Sequence, residues 1–132
     1  MSAAASGLCP IEGCATMPAL APDVLRAELS KLPAWRLNAE GTRIARAFVA
    51  KNFKEAMAFL NLAGDVAEDA GHHHDFHLTS YRNVKVVLYT HDVGGVTNND
   101  LVLAARIDTC RVVYSPKWKR EQIAAGAVLP QP

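Results

Sequence analysis

All five histidines of this 132-residue chain lie in one stretch from Glu68 to Asp100; they are His72, His73, His74, His77 and His91. Imidazole is the side chain whose ordinary pKa lies nearest neutrality, so this crowding favours proton transfer or metal binding. Carboxylates flank the cluster on both sides. The stretch is therefore the candidate functional site.

A proton-transfer site needs two or three imidazoles along a pocket and a carboxylate that fixes a tautomer or holds a substrate amine. His72 or His73 at the end of a helix meets His91 at the end of a strand if that strand lies beside the helix. Asp100, at the start of the next helix, then completes the group. Glu68 lies one helical turn before His72, where its carboxylate can orient that imidazole.

A metal site is the second interpretation, and the spacing disfavours it. Three or four ligands must converge on one ion, whereas adjacent residues such as His72, His73 and His74 point in diverging directions. The sequence also lacks H-E-x-x-H, and H-x-E with C-x-x-C. Solvated loop residues are the third interpretation, which we prefer for His74 and His77. We expect no metal ligand in the cluster.

The cluster follows a predicted helix. Apolar residues recur at three- and four-residue steps after Asn52, and they are Phe53, Ala56, Met57, Leu60, Ala63, Gly64 and Ala67. This stripe predicts a helix that Asn52 precedes, that runs to about Ala70 and that buries the stripe in the core. Gly71 is placed to stop it.

Extended segments follow the cluster. Residues 76–81 predict a short strand, and the alternation over residues 84–89 predicts a second one that delivers Thr90 and His91 to its end. Thr90 and Asp92 flank His91 and are supporting or substrate-binding candidates. The segment D-V-G-G-V supplies a glycine turn.

Thr97 and Asp100 have the spacing of a capping box, so a third helix begins there. Capping alone explains the Asp100 carboxylate, although capping and catalysis do not exclude each other, because a carboxylate in a first turn faces the loop. The apolar residues of this helix fall on two faces, Leu101, Ala104 and Ala105 on one and Leu103, Ile107 and Cys110 on the other. Two apolar faces predict a subunit interface.

A helix and a hairpin precede these elements. Asp23 is placed to cap a helix whose leucines share one face and which Pro33 ends. Two strands then flank N-A-E-G-T, a segment suited to a hairpin. The order is α-β-β-α-β-β-α, which predicts an α+β fold with a four-stranded antiparallel sheet and helices packed on one face. Residues after Arg111 add a short strand or helix that the pattern does not place.

Composition bounds the function. With 14 basic and 13 acidic residues, the net charge of +1 gives no electrostatic reason to expect nucleic acid or an acidic membrane surface as a partner. No stretch approaches the length of a membrane span, and the N-terminal residues do not form a secretory signal.

The chain is predicted to divide into a flexible tail at residues 1–21, one domain at 22–115 and a C-terminal extension at 116–132. Cys9, Cys14 and Cys110 cannot all pair within the chain, so a reducing cytoplasm is expected. Cys9 and Cys14 lack a second ligand pair that would indicate a metal site.

The stretch closely resembles the signature of the pterin-4a-carbinolamine dehydratase family. That signature joins an acidic residue, a His-His pair, an aromatic residue, a histidine and an aspartate at set gaps, matched here by Glu68, His72, His73, Tyr81, His91 and Asp100. The segment T-H-D-V-G-G-V-T-N-N-D-L also looks like the family's T-H-D-x-G-G-L-T-x-x-D. His74 stands where the family usually has proline, and His73 with His74 is an alternative pair whose gaps agree less well.

The resemblance implies a hydro-lyase without metal or cofactor that removes water from 4a-hydroxytetrahydrobiopterin, or a related reduced pterin, to give quinonoid dihydropterin. This reaction serves recycling of the cofactor of aromatic amino acid hydroxylases. The family's roles make His72, His73 and His91 the acid and base groups, assisted by Asp100 and Glu68. The family also implies a homodimer or homotetramer.

Two other functions stay open under the same resemblance. Some relatives act as dimerisation partners of a transcription factor, which makes an interaction module the first alternative. The second alternative keeps the fold and assigns the pterin role to molybdenum-cofactor metabolism.

Overall fold

The computed structural model describes residues 18–72 and 75–130 of the chain. The helices and strands of this part are, in order, α1 (Pro22–Leu29), β1 (Arg36–Leu37), β2 (Ile44–Val49), α2 (Phe53–Ala70), β3 (Asp75–Thr79), β4 (Asn83–Leu88), α3 (Asn98–Ile107) and α4 (Pro116–Ala124). The strands form one antiparallel sheet in the order β1-β2-β4-β3. The α+β prediction is confirmed, and α4 is the element that the sequence pattern did not place.

Side-chain alternation gives the sheet one buried face and one open face. In β2, Arg46 and Phe48 are buried whereas Ala47 between them is exposed, and in β4 Val84 is buried whereas Lys85 is exposed. The core lies on the buried face and joins the sheet to the first three helices through Leu25, Phe59, Ala63, Leu103 and Ile107, among others.

Both ends of α2 agree with the prediction. The Asn52 side chain accepts a hydrogen bond from the backbone N–H of Glu55 at 2.9 Å, and Gly71 adopts a left-handed backbone with φ of 64°. The expected apolar stripe is only partly buried, because Phe53 and Met57 are exposed. The buried face of α2 is centred on Ala56, Ala63 and Ala70. Because successive residues of a helix are rotated by about 100°, the exposed phenylalanine and methionine lie to one side of that face.

The start of α1 differs from the prediction. Ala21 is the N-cap and Pro22 opens the helix, so Asp23 lies in the first turn and is not the cap. Proline suits this position because it has no N–H to leave unbonded. Before α1, Leu20 donates its backbone N–H to Val96 O at 2.8 Å and packs on the core. Cys9 and Cys14 lie outside the described residues.

The hairpin of β3 and β4 ends in a turn with unusual backbone. Ser80 and Tyr81 both have positive φ, 47° and 56°, in the left-handed region that few non-glycine residues adopt. The predicted strand therefore runs too far, since β3 ends at Thr79. Tyr81 lies at the far end of this hairpin from His72, which precedes β3.

Both apolar faces of α3 are largely covered within the single chain. Leu101, Leu103, Ala104 and Ile107 are all buried, because α3 packs against α2 and also shares the core with the sheet. The two-faced pattern is therefore no indication of a subunit interface. The homo-oligomer stays a prediction that depends on the family alone.

The segment after α3 returns to the edge of β2. Ser115 donates its N–H to Val49 O at 2.9 Å. The guanidinium of Arg46, only 2% exposed, donates to Asp108 Oδ1 at 3.0 Å and to Tyr114 Oη at 2.8 Å. Tyr114 in turn donates to the carbonyl of Pro130 at 2.8 Å. The Tyr114 contact therefore joins the chain near Pro130 to the buried guanidinium of β2.

Membrane insertion through a helix has no support in the described ranges: none of their helices combines the length and the apolar character needed to cross a bilayer.

Candidate active site

His72 is held by the way α2 ends. Because Gly71 is left-handed, the chain turns back on the helix; Gly71 donates its N–H to Glu68 O at 3.1 Å and His72 donates its N–H to Ala67 O at 3.2 Å. This pair of bonds is the Schellman motif. It fixes the backbone of His72, whose side chain is 9% exposed.

The His72 imidazole contacts the carboxylate of Asp100. Its Nε2 atom lies 2.6 Å from Asp100 Oδ1, and Asp100 is fully buried in the first turn of α3. The other oxygen, Oδ2, accepts hydrogen bonds from Thr90 Oγ1 at 2.8 Å and from the backbone N–H of Thr97 at 2.9 Å. The carboxylate therefore caps α3 and holds a histidine at the same time.

Thr90 reaches this carboxylate from the end of β4. Its backbone N–H donates to Gly95 O at 2.8 Å, which closes a short loop. A side chain at position 95 is excluded by close packing, because a Cβ atom there would lie 2.9 Å from the Cβ of Ala19. The glycine turn thus returns the chain to Thr97, whose Oγ1 lies 2.9 Å from that of Thr90.

Thr97 is the member of this cluster that sequence reasoning did not treat as a site residue. The sequence pattern identifies it only as a helix cap, through the capping-box spacing to Asp100. The structure gives it a second contact because its hydroxyl faces Thr90, seven residues earlier in the chain.

The contacts specify a tautomer of His72. An ionised carboxylate only accepts hydrogen bonds, so the ring nitrogen that faces it carries the hydrogen. Nδ1 is then the ring nitrogen without a hydrogen, so it is a hydrogen-bond acceptor.

Two other predicted residues lie next to this cluster. His91 and Asp92 belong to a 3₁₀ turn, His91–Val93, that directly follows Thr90, and both are exposed. The hydrogen bond between Thr90 and Asp100 therefore places the start of this turn near the carboxylate that His72 contacts.

Glu68 lies on the helix that precedes His72, whereas His77 lies on the open face of the sheet. Glu68 is exposed in the last turn of α2, and its orienting role for His72 stays a prediction. His77 is exposed on β3, where it pairs with Lys85 of β4 on the open face of the sheet. His73 and His74 lie outside the described residues.

Grooves on the open face do not coincide with this cluster. Two of them, of about 640 and 410 Å³, share Ala47, His77 and Lys85 as lining residues. Neither is lined by His72 or Asp100.

Metal ligation was disfavoured on spacing. Across residues 18–72 and 75–130, no group of three His, Cys, Asp or Glu side chains has the arrangement that could hold an ion. Because His73 and His74 are not included, a site without metal stays a prediction.

Comparison with known proteins gives one consistent family. The sequence model of the family described as Pterin 4 alpha carbinolamine dehydratase matches residues 18–110. A protein of Paracoccus denitrificans (strain Pd 1222), which bears the provisional name pterin-4-alpha-carbinolamine dehydratase, is 45% identical over 69% of this chain and 84% of its own. The mitochondrial pterin-4-alpha-carbinolamine dehydratase 2 of Arabidopsis thaliana is 37% identical over 64% of this chain and 46% of its own length.

A solved structure agrees with these relatives. The crystal structure described as a transcriptional coactivator/pterin dehydratase from Brucella melitensis has a TM-score of 0.64 and 30% identity to this chain. The match covers 68% of this chain and 95% of that one.

Proposed function

Because this chain belongs to the pterin-4-alpha-carbinolamine dehydratase family, we propose that it dehydrates 4a-hydroxytetrahydrobiopterin, or a related 4a-hydroxytetrahydropterin, by histidine acid–base catalysis. The C4a–O bond breaks, and the hydroxyl leaves as water with a proton from a general acid. A general base takes the proton from N5, and the C4a–N5 double bond of the quinonoid dihydropterin forms. The two proton transfers balance, so the reaction needs no oxidant or reductant.

The observation that carries this proposal is the buried contact of 2.6 Å between His72 and Asp100. A neutral imidazole with its hydrogen on Nε2 accepts a proton at Nδ1, and the adjacent carboxylate stabilises the charge that results. The same contact stabilises a protonated His72 that donates. Asp100 thereby orients the ring and supports its charge.

His73 and His91 complete the proposed acid and base groups with His72. The position of His91 supports this proposal, because it follows Thr90, which is bonded to the same carboxylate. Its exposure leaves it open to a bound pterin. Asp92 and Glu68 are proposed as supporting residues around the substrate.

The direct experiment follows the dehydration of 4a-hydroxytetrahydropterin spectrophotometrically with wild type, His72→Ala and His91→Ala. Loss of a general acid or base lowers a rate by about 10²–10⁴-fold, so we expect at least a 100-fold decrease in both variants. His77→Ala is the matched control, since it removes an exposed histidine from the open face and leaves the rate unchanged. Equal rates in all four proteins, or a wild type no faster than buffer, contradict the proposal.

An interaction module is the second candidate, and the description of the Brucella melitensis structure as a transcriptional coactivator favours testing it. Partner capture that survives His72→Ala, together with no binding of reduced pterin by wild type, selects this function over the dehydratase.

The proposed compartment is inferred from the cysteines, and the proposed metabolic role and oligomeric state are inferred from the family. We place the protein in a reducing cytoplasm because its three cysteines cannot all pair. Its proposed role is recycling of the tetrahydropterin that aromatic amino acid hydroxylases consume, and its proposed state is a homodimer or homotetramer.

A further inference from the structure

Two buried threonine hydroxyls stand behind the carboxylate that contacts His72. Thr90 Oγ1 lies 2.8 Å from Asp100 Oδ2 and 2.9 Å from Thr97 Oγ1. Thr90 is 4% exposed and Thr97 is fully buried, so both hydroxyls are shielded from the surface and bond to each other and to Asp100.

The distances determine which hydroxyl donates to which acceptor. Each hydroxyl has a single hydrogen to give. Thr97 Oγ1 is 3.4 Å from Asp100 Oδ2, which is longer than the 2.8 Å from Thr90. Thr90 therefore donates to the carboxylate, and Thr97 donates to Thr90. The result is an ordered chain of hydrogen bonds that ends on Asp100.

This chain restricts the carboxylate. A carboxylate turns about its bond to Cβ unless its oxygens have distinct partners, and here Oδ2 is occupied by Thr90 and by the backbone N–H of Thr97. Oδ1 is left facing His72 Nε2. Hydrogen bonds to a charged oxygen are also stronger than neutral ones, which makes this arrangement hard to rearrange.

We propose that Thr90, oriented by Thr97, is a positioning residue that fixes the Asp100 carboxylate and, through it, the ring orientation and tautomer of His72. Only the expected effect of Thr90 on the reaction rate rests on the proposed function; the effect on the His72 tautomer does not. Thr90 also directly precedes His91, so its hydrogen bond ties the segments of both histidines to one carboxylate. Partners behind a functional histidine typically affect activity by about 10–100-fold when they are removed.

The test compares Thr90→Val with Thr90→Ser in the full-length chain. Valine keeps the branched shape and the backbone bond to Gly95 and removes the hydroxyl, whereas serine keeps the hydroxyl. Thr79→Val is the matched control because Thr79 is exposed in β3. If Thr90→Val does not fold by circular dichroism, Thr90→Ala removes the same hydroxyl without adding a methyl group.

The first readout is the tautomer of His72, measured by long-range ¹H–¹⁵N NMR of the labelled protein. We expect a single Nε2–H tautomer in wild type, Thr90→Ser and Thr79→Val, and a mixture in Thr90→Val. The second readout is kinetic: kcat falls on the order of 10-fold in Thr90→Val with little change in KM, and serine restores it.

The outcomes separate this inference from the proposed function. A wild type without dehydratase activity ends the proposed function, while the NMR comparison still decides the role of Thr90. An unchanged tautomer in Thr90→Val overturns the positioning role. So does a loss in Thr90→Ser as large as that in Thr90→Val, because that loss follows from shape and not from the hydroxyl.

Discussion

His72 Nε2 lies 2.6 Å from Asp100 Oδ1, although 28 positions separate the two residues in the chain. The contact joins the exit of α2 to the first turn of α3. It makes Asp100 both a helix cap and the partner of a candidate catalytic histidine.

Asp100→Asn separates these two roles. Asparagine keeps an oxygen that accepts from the Thr97 N–H, so the cap is largely retained and the midpoint of urea unfolding shifts little. It loses the charge that stabilises the His72 imidazolium, so we expect kcat/KM to fall by about 100-fold. Asp65→Asn, an exposed carboxylate on α2, serves as the control. Wild-type kcat/KM in Asp100→Asn is the contrary result.

The ion pair between the buried Arg46 and the partly buried Asp108 is predicted to affect stability most when only one partner is removed. Asp108→Ala leaves the Arg46 guanidinium buried without a counterion, and such changes cost about 3–5 kcal/mol in the free energy of unfolding. The double variant Arg46→Met, Asp108→Leu is expected to lose less than the sum of the single changes. Urea unfolding of wild type, Arg46→Met, Asp108→Leu and the double variant measures the coupling, and Asp108→Ala is measured beside them.

An exposed ion pair provides the comparison for that cycle. Lys31 and Glu28 lie 3.3 Å apart with exposed side chains, so Glu28→Ala is expected to cost less than about 1 kcal/mol. If Asp108→Ala and Glu28→Ala lose equal amounts of unfolding free energy, the larger contribution expected of the Arg46–Asp108 pair is contradicted.

The stability of the protein also depends on the ionisation of Asp108. Burial raises the pKa of this carboxyl above its ordinary value, and the nearby Arg46 opposes the rise without cancelling it. Between the ordinary and the raised pKa the folded state binds more protons than the unfolded state, so stability from this group is lost as pH rises through that window. This loss is measured from the urea-unfolding midpoints of wild type and Asp108→Asn at several acidic pH values. Parallel plots of midpoint against pH for the two proteins would contradict the prediction.

The thiol of Cys110 is predicted to be unreactive in the folded protein. Cys110 is buried, and burial raises the pKa of its thiol, which lowers the fraction present as the reactive thiolate. In the variant Cys9→Ser, Cys14→Ser, we expect little reaction with Ellman's reagent at neutral pH and complete reaction in denaturing urea. Rapid labelling of the native variant disagrees with the observed packing around α3.

The homo-oligomer is predicted from the family and not from the fold of one chain. Sedimentation velocity of the protein is expected to give a mass of two or four times 14.3 kDa. Because most of the apolar residues of α3 are buried within the chain, substitution of the exposed Ala105 by Glu is not expected to change that mass. A monomer at all concentrations removes the prediction.

Local structure in this protein was readable because local signals specify it. Asn52 and Gly71 delimit α2 through bonds to their own neighbours, and the spacing of Thr97 and Asp100 marks the start of α3. Strand alternation likewise revealed β4. These features depend on residues a few positions apart, so a sequence pattern contains the necessary information.

Periodicity was less informative about which apolar residues are buried. Phe53 and Met57 fit the stripe of α2 and are nevertheless exposed, because the rotation of a helix against its sheet is set by packing along its whole length. The Arg46 guanidinium is buried together with its partners Asp108 and Tyr114, which lie 62 and 68 positions later in the chain.

The sequence by itself therefore determined the elements, the fold class and the stretch in which the candidate residues lie. Only the tertiary structure decided that Asp100 is the carboxylate in contact with His72, and that the Thr90 hydroxyl donates to its other oxygen. The physical reason is that hydrogen bonds between distant segments form when packing brings a helix exit, a strand end and a helix start together. No spacing along the chain specifies such distances.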